Sequence, residues 1–146
     1  MSKAVFTAAF EQIWNNKDAS AIERFIAPNF RGQDPAEPEV ISGIEGYKRH
    51  FETLTTGFPD LHITIEDLVE EADRDRVAAR WFVEATHTGE WAGIPPTGSR
   101  IHMAGISIAL IPLRQFVEEH SNTDALGLLK QLGVIPEPPK VPALFF

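Results

Sequence analysis

The sequence predicts an α+β domain in which helices cover one face of a curled antiparallel sheet. Apolar residues recur at helical spacing up to Gly57, and after Pro59 they alternate with polar residues instead. Helices followed by a run of strands are typical of the α+β class. Because strands twist, a sheet covered on one face tends to curl into a cone, and the apolar pocket inside such a cone is the expected ligand site.

Three helices are expected first. Ser2 has the chemistry of an N-cap for the first helix, and Asp18 opens a second, which Pro28 is expected to end. The third helix is predicted over about residues 44–55. Between the second and third helices, residues 30–40 are expected to form a loop that begins with a short edge strand at most.

Four strands are expected after the helices. The first begins at Leu61, the second covers residues 77–91, the third covers residues 101–111, and a strand over residues 116–121 closes the sheet. The tight connection over residues 93–98 makes the second and third strands antiparallel neighbours. It would place Trp91 roughly opposite Ser99, and a last short helix ends at Gly133.

Composition restricts the possible partners. The 146 residues are expected to form one domain, residues 1–146, with a proline-rich tail over residues 136–146 whose three apolar end residues would lie on its own surface or on a second subunit. The net charge of −8 disfavours binding to nucleic acid or to an anionic membrane surface. No cysteine is present to form a disulfide or a thiolate metal site. We find no signal peptide or membrane-spanning pattern, so a cytoplasmic location is expected.

Asp124 stands where the last strand gives way to the last helix. Aspartate is a preferred N-cap residue, so its carboxylate could serve only to bind backbone N–H groups. The same position could also hold the carboxylate in a fixed geometry at the edge of a cavity. The residues alone leave both interpretations open.

Histidines are the other candidates for chemistry. His50 and His62 are expected on the surface. His87 and His102 lie close across the ladder of the second and third strands, and the strand register decides whether they share a face. A zinc site from these two and His120 is conceivable, but the spacing of a local metal motif is absent, so no metal and no cofactor are expected.

The pocket wall is predicted from the periodicity of the helices and strands. In the third strand, Ile106, Ile108 and Leu110 share a face with His102. Arg80 belongs to a polar face of the second strand, which is either an exposed stripe or a set of polar groups inside the pocket. The remaining candidates for contact with a ligand are Trp14, Phe51, Leu54, Phe58 and His87.

An ordered series of short motifs resembles the SnoaL-like polyketide cyclase family over roughly residues 5–135. The motifs are Gly43-Ile-Glu-Gly46, Phe58-Pro-Asp-Leu61, Thr86-His87-x-Gly89, Gly93-x-Pro-Pro-Thr-Gly98, Glu118-x-His120-x-x-x-Asp124 and Gln131-Leu-Gly133. The resemblance implies a nuclear transport factor 2-like cone, commonly dimeric. It also implies an aldol ring closure without metal or cofactor, in which one aspartate, matching Asp124, acts as both acid and base.

These observations predict a homodimeric cone that binds a small, mostly apolar, carbonyl-bearing ligand. Asp124 would transfer the proton and His102 or His120 would polarise the carbonyl group. A binding protein without turnover, using the same pocket, is one alternative. A hydrolase or isomerase on the same scaffold is another, because function does not follow from fold.

Overall fold

Six strands form one curved sheet in the computed structural model, which describes residues 1–137 and 139–145. The strand order is β2-β1-β6-β5-β4-β3, and neighbours are antiparallel except for the parallel pair β1 and β6. The strands are β1 (Ile26–Gln33), β2 (Ile41–Ser42), β3 (His62–Glu71), β4 (Arg76–Thr86), β5 (Arg100–Leu110) and β6 (Phe116–Thr123).

Four α-helices accompany the sheet: α1 (Ser2–Ala9), α2 (Ile22–Phe25), α3 (Gly43–Gly57) and α4 (Ala125–Gln131). The first continues directly into a π-helix, Phe10–Asn15, a form of wider helical turn that often occurs near functional sites. No helix in the described part of the chain is both long and apolar enough to cross a membrane.

The core lies between the helices and the inner face of the sheet. Phe6 stacks on Phe10 with their ring centroids 4.3 Å apart and meets Phe116 of β6 at 5.6 Å. Alternate residues of β4 are buried against the helices, as its period of two requires: Val77, Ala79, Trp81 and Ala85. The expected α+β cone, with N-terminal helices on a curved sheet, is confirmed.

The boundaries of the first two helices differ from expectation. The first helix begins at Ser2 itself, with Met1 in the N-cap position. The second ends at Phe25, so Pro28 lies inside β1 rather than at the end of a helix. The pairing of β1 with β6 shifts register between Ile26 and Arg31, and a proline is tolerated at such an irregularity because no ladder hydrogen bond is required there.

The second long strand is shorter than predicted. It ends at Thr86. The N–H of His87 still donates to the carbonyl of Ser99, but the next two backbone N–H groups, of Thr88 and Gly89, both donate to the carbonyl of Gly57 in α3. A Cβ at position 89 would lie 1.9 Å from the carbonyl oxygen of Thr56, so only glycine permits this approach. The chain then turns away, and Trp91 pairs with Ile94 rather than lying opposite Ser99.

Strand β6 lies inside the sheet instead of closing it, since β1 adds to its other side. The ladder between β4 and β5 places Glu84 opposite His102. His87 follows the end of β4, three positions after Glu84, so the two histidines point to opposite faces of the sheet.

The C-terminal tail follows α4 without helix or strand in its described residues. Leu144 and Phe145 are 73% and 93% exposed, so they do not pack on the chain's own surface. Phe146, the last of the three apolar end residues, lies outside the described residues.

Candidate functional site

A cavity of about 300 Å³ lies inside the cone, between the π-helix, α3, α4 and the inner face of the sheet. Most of its wall is aromatic or aliphatic. The apolar part of the lining consists of Phe10, Trp14, Ala36, Ile41, Leu54, Phe58, Leu61, Ile63, Trp81, Val83, Ala85, Trp91, Ile101, Met103, Ala125, Leu128 and Leu129.

Glu119 is the acidic group on the sheet side of this cavity. Strand alternation in β6 turns Glu119, Ser121 and Thr123 inward, and Glu119 pairs across the ladder with Ala109, whose small side chain leaves room above it. Burial raises the pKa of Glu119 to about 7, and the hydroxyl groups of Ser107 and Ser121 offset only part of that rise. A carboxyl with such a pKa can both accept and return a proton near neutral pH.

Two serine hydroxyls connect Glu119 to the aromatic wall. The indole N–H of Trp81 donates to Ser107 Oγ at 3.0 Å, and Ser107 Oγ lies 2.7 Å from Ser121 Oγ. Gly105 makes this arrangement possible, because a Cβ there would lie 2.5 Å from Cζ2 of the Trp81 ring. The hydrogen-bonded pair therefore fixes polar groups next to the carboxyl in a wall that is otherwise apolar.

Tyr47 brings a neutral donor to the cavity from α3. Its hydroxyl oxygen accepts the indole N–H of Trp14 at 3.0 Å. Burial raises the pKa of Tyr47, and the nearby charge of Glu119 raises it further, so the phenol keeps its proton. No residue in the described part of the chain accepts that proton, which leaves the O–H able to donate to a ligand in the cavity.

His50 lines the cavity too, although the sequence places it on the surface. Its ring meets Trp14 and Tyr47 edge to face, at centroid distances of 5.7 and 6.3 Å. Burial lowers the pKa of His50 to about 4, against a smaller opposing effect of Asp34, so the imidazole is neutral at pH 7. Its Nδ1 lies 4.0 Å from a carboxylate oxygen of Glu37.

Asp124 is the N-cap of α4 and does not line the cavity. Its Oδ1 accepts the backbone N–H of Gly127 at 2.9 Å, and the side chain is exposed. The inward alternation of β6 includes Thr123 and excludes the next residue. The structure therefore gives this carboxylate the capping geometry, and the carboxyl of β6 that lines the cavity is Glu119, five residues earlier.

The histidines expected beside Asp124 also lie elsewhere. His102 stacks on Phe82 on the outer face of the sheet at a centroid distance of 4.6 Å, and His120 pairs with Glu118 at 2.8 Å on that same face. His87 is fully buried beside Phe58, where its Nδ1 accepts the backbone N–H of Thr97. Among the described residues, no three His, Cys, Asp or Glu side chains are grouped as a metal site.

The predicted wall on β5 is the wrong face of that strand. Ile106 and Ile108 are 55% and 48% exposed, and Leu110 shares their outer face, whereas Ile101 and Met103 line the cavity. Arg80 belongs to an exposed polar stripe, since its guanidinium pairs with Asp67 and Glu66 of β3. The ladder with β4 turns Gly105 inward on the same face as Ile101 and Met103, and the ring of Trp81 covers it.

Most of the ligand-contact candidates predicted on the helices do line the cavity. Trp14, Leu54 and Phe58 line the cavity. Phe51 lies behind Trp14 in the core, with the two rings 5.4 Å apart. Glu119 was not among the residues predicted from the sequence, although the small residues Gly105, Ser107 and Ala109, which share the inner face opposite β6, were a usable signal.

Several solved structures of other proteins are similar to this one. A candidate SnoaL-like polyketide cyclase from Jannaschia sp. CCS1 superposes with a TM-score of 0.82 over 92% of this chain and 93% of that chain, at 21% identity, which indicates a shared fold alone. TsrD from Streptomyces laurentii is 30% identical, with a TM-score of 0.79 over 92% and 96% of the two chains. AclR from Streptomyces galilaeus, a candidate hydroxylase, is 29% identical, with a TM-score of 0.79 over 95% and 85%.

No functionally curated protein matches the chain. The family model for SnoaL-like polyketide cyclases matches residues 4–132, nearly the whole folded part. The nuclear transport factor 2-like cone, with its helices packed on a curved sheet, agrees with that match. The chain therefore belongs to the SnoaL-like polyketide cyclase family.

Proposed function

We propose that the protein catalyses proton transfer on a small, mostly apolar, carbonyl-bearing ligand inside the cone, without a metal or cofactor. Glu119 is the acid and base, in place of Asp124. The observation that supports this proposal is a carboxyl with a pKa of about 7 on the wall of a mainly apolar cavity. A carboxylate with an ordinary pKa is a weak base for removing a proton from carbon, and burial makes it a stronger base by raising its pKa.

The reaction that fits these groups begins at a methylene between two carbonyl groups. Ionised Glu119 removes a proton from that carbon, and the O–H of Tyr47 donates to the carbonyl oxygen on which negative charge develops. If a second carbonyl of the same molecule lies within reach, the enolate carbon attacks it and a ring closes. Glu119 then returns its proton to the new alkoxide, so the carboxyl ends in its starting state.

The apolar wall contributes in two ways. It holds a flexible ligand in a folded conformation, which brings the two reacting carbons together. It also excludes water, which strengthens the hydrogen bond from Tyr47 and keeps the pKa of Glu119 high. Aldol cyclisation is the first candidate, and a double-bond isomerisation would share its first step.

The test is deuterium exchange at the methylene of an aryl-substituted β-ketoester in D2O, followed by NMR. The protein should accelerate exchange, and Glu119→Gln should reduce that acceleration by about 10²–10⁴-fold, because Gln keeps the shape and loses the base. Asp124→Asn is the matched control, since Asn caps a helix as well as Asp, and it should leave exchange unchanged.

Binding of the ketoester without any acceleration would reject catalysis and leave a ligand-binding protein. Loss of exchange in Asp124→Asn with a normal rate in Glu119→Gln would return the chemistry to Asp124. Both variants should bind the ketoester, which separates a chemical role from a role in affinity.

We also propose that two copies associate through the outer face of the sheet. Ile106 and Ile108 expose apolar side chains there, beside the stacked pair Phe82 and His102. Monomeric proteins rarely expose a large contiguous apolar patch, and such a patch often marks a protein interface. A twofold pairing of identical faces would cover it and leave the cavity of each copy on the opposite side.

A further inference from the structure

We propose that Trp81 and Ser107 are positioning residues for Glu119. They hold the hydroxyl groups beside it in one direction, so that the transferable proton lies on the carboxyl oxygen that faces the cavity. The proposal rests on the proposed function, because it concerns the same carboxyl. The two residues act through Glu119 rather than through contact with the reacting carbon of the ligand.

Ser107 is a polar residue sealed inside the molecule. Its exposed fraction is 0%. Its Oγ accepts the indole N–H of Trp81 at 3.0 Å and lies 2.7 Å from Ser121 Oγ. Burial raises the pKa of Glu119, and hydrogen bonds from the hydroxyl groups of both serines lower it. These side chains therefore form one polar path from the aromatic wall to the carboxyl.

The indole N–H gives this path its direction. An indole N–H can only donate, so Ser107 cannot return a hydrogen bond to Trp81. The two serines have two hydroxyl hydrogens between them, and one of these is used in the bond that joins Ser107 to Ser121. Whichever serine donates in that bond, the second hydrogen is left for the carboxyl of Glu119.

Burial opposes the reverse direction. Protonated Glu119 could donate to Ser121 only if Ser121 donated to Ser107 in turn. The O–H of Ser107 would then share its end of the path with the indole N–H of Trp81, which is a donor and offers no acceptor. A buried donor without an acceptor is destabilising. We therefore expect the path to run from Trp81 to Glu119 whether or not the carboxyl is protonated.

A fixed direction decides which oxygen of Glu119 carries the proton. Ser107 and Ser121 lie opposite each other on the inner face of the sheet, and Glu119 lies beside them on the cavity wall. The carboxyl oxygen nearer the serines accepts their hydrogen bonds. The other oxygen, which faces the cavity, is left to bind and release the proton that is exchanged with a ligand.

The titration of Glu119 tests this role. Ser107→Ala removes a donor to the ionised carboxyl, so the pH midpoint of the titration should rise by about one pH unit. The midpoint is measured by NMR of the protein labelled with ¹³C-glutamate, and Glu119→Gln identifies the signal. This measurement does not depend on turnover.

Deuterium exchange of the ketoester gives a second measurement on Ser107→Ala. At pH 6 the exchange rate should fall about tenfold, because a higher midpoint leaves less of Glu119 ionised. At pH 9 the carboxyl is ionised in both proteins, and the rate should equal or exceed that of the parent protein. Damage to the fold would instead lower the rate at both pH values.

The other titratable groups on the cavity wall stay in place in these variants. Among the described residues they are Tyr47 and His50 of α3, and Asp34 and Glu37 in the segment after β1. The phenol of Tyr47 is close enough to Glu119 for the carboxylate charge to raise its pKa, after the larger effect of burial. Because none of these groups is changed, a moved midpoint reports on the hydroxyl groups.

Trp81→Phe tests whether the indole acts through Ser107. Without the N–H, the serine hydroxyls are free to reverse and to accept from protonated Glu119. The midpoint should therefore rise, although by less than in Ser107→Ala. In the double variant it should rise no further than in Ser107→Ala alone, because the indole has no second route to the carboxyl.

Ser121 provides a pair of milder variants. Ser121→Ala should raise the midpoint, and Ser121→Thr should keep it near the parent value, since threonine retains the hydroxyl and its methyl group has room in the cavity. Ser99→Ala is the matched control, because it removes a hydroxyl from a serine that does not line the cavity, and it should leave the midpoint unchanged.

Three results would overturn the proposal. They are an unchanged or lowered midpoint in Ser107→Ala, equal midpoints in Ser121→Ala and Ser121→Thr, and additive effects of Trp81→Phe and Ser107→Ala. Failure of the proposed function looks different. The expected midpoints without any exchange of the ketoester would keep the path and reject the catalysis, whereas exchange that depends on Glu119, with unmoved midpoints, would keep the catalysis and reject the path.

Discussion

At the scale of single residues, two carboxyl groups five positions apart have opposite environments. Asp124 is exposed and accepts a backbone N–H, so its charge is satisfied by water and by the start of α4. Glu119 is enclosed by the cavity wall and loses most of its hydration. The difference follows from strand alternation, because β6 turns alternate residues from Glu119 to Thr123 inward, and Asp124 falls between two residues that line the cavity, Thr123 and Ala125.

The raised pKa of Glu119 has a consequence for stability. The pKa of Glu119 is 4.5 in the unfolded chain and about 7 in the folded protein, so at pH values between these two the folded state binds more protons than the unfolded state. The contribution of Glu119 to the free energy of unfolding is therefore fully present below about pH 4.5 and is lost as the pH rises through about 7. His50 acts in the opposite direction, since its pKa falls from 6.5 to about 4 and its contribution is lost as the pH falls through that range.

Glu119→Gln isolates the first effect. We expect the variant to exceed the parent protein in free energy of unfolding by on the order of 2 kcal/mol at pH 8.5, and to match it closely at pH 4.5. Urea denaturation at the two pH values measures this. Asp124→Asn is the control, and its difference from the parent protein should not depend on pH in this way. A difference between Glu119→Gln and the parent protein that is the same at both pH values would contradict the burial of the carboxyl.

At the scale of elements, β5 shows what periodicity can and cannot predict. The alternation of apolar residues identified the strand, but both of its faces carry apolar side chains, so the pattern did not indicate which face lies inside. That choice depends on the ladder with β4, where Trp81 lies opposite Gly105 and covers it. Strand β4 ends earlier than predicted, and His87 rather than Trp91 lies opposite Ser99. That shift is an even number of residues and leaves the faces unchanged, so it did not cause the error.

His50 and Glu119 were not predicted as cavity residues, because their burial depends on contacts between distant parts of the chain. His50 occurs in a polar part of its helix, so its hydropathy gave no sign of burial against Trp14. Glu119 follows another glutamate, and only the pairing of β6 with β5 decides which of the two faces inward. The parallel pair β1 and β6 joins segments far apart in the chain, and no local pattern predicts such a contact.

Gly105→Ala tests the close approach of Trp81. The new methyl group would lie 2.5 Å from Cζ2 of the indole ring, so the ring must move and its hydrogen bond to Ser107 must lengthen. Overpacking of this kind costs about 1–3 kcal/mol, and chemical denaturation together with near-ultraviolet circular dichroism would record the loss. The double variant with Trp81→Phe should be less destabilised than the sum of the two changes, because the smaller ring leaves room. Additive effects would show that the two positions do not press on each other.

At the scale of the whole molecule, the sheet separates two surfaces with different roles. Its inner face and the helices form the cavity, which Glu119 lines. Its outer face carries the polar stripe of β3 and β4 at one side and the exposed isoleucines of β5 at the other. A partner on the outer face would therefore stiffen the strands that hold the cavity wall without blocking access to the ligand.

The association of two copies is tested at the isoleucines. The protein should sediment at twice its chain mass of 16.2 kDa at micromolar concentration, and the double substitution Ile106→Glu and Ile108→Glu should return it to the mass of one chain. Like charges would then face each other across a twofold axis and would lose their hydration, which opposes pairing. Circular dichroism should show an unchanged fold, since both side chains already face solvent in the single chain.

Leu113→Glu is the control for the isoleucine variant. Leu113 is 96% exposed in the turn before β6, so the change adds one negative charge, against two in the isoleucine variant, away from the outer face. It should leave the mass unchanged, and so a general effect of added negative charge can be told apart from the loss of one interface. Sedimentation of the parent protein as a single chain would contradict the pairing, as would a dimer that survives the double substitution. Either result would leave the chemistry assigned to Glu119 unaffected, because neither Ile106 nor Ile108 lines the cavity.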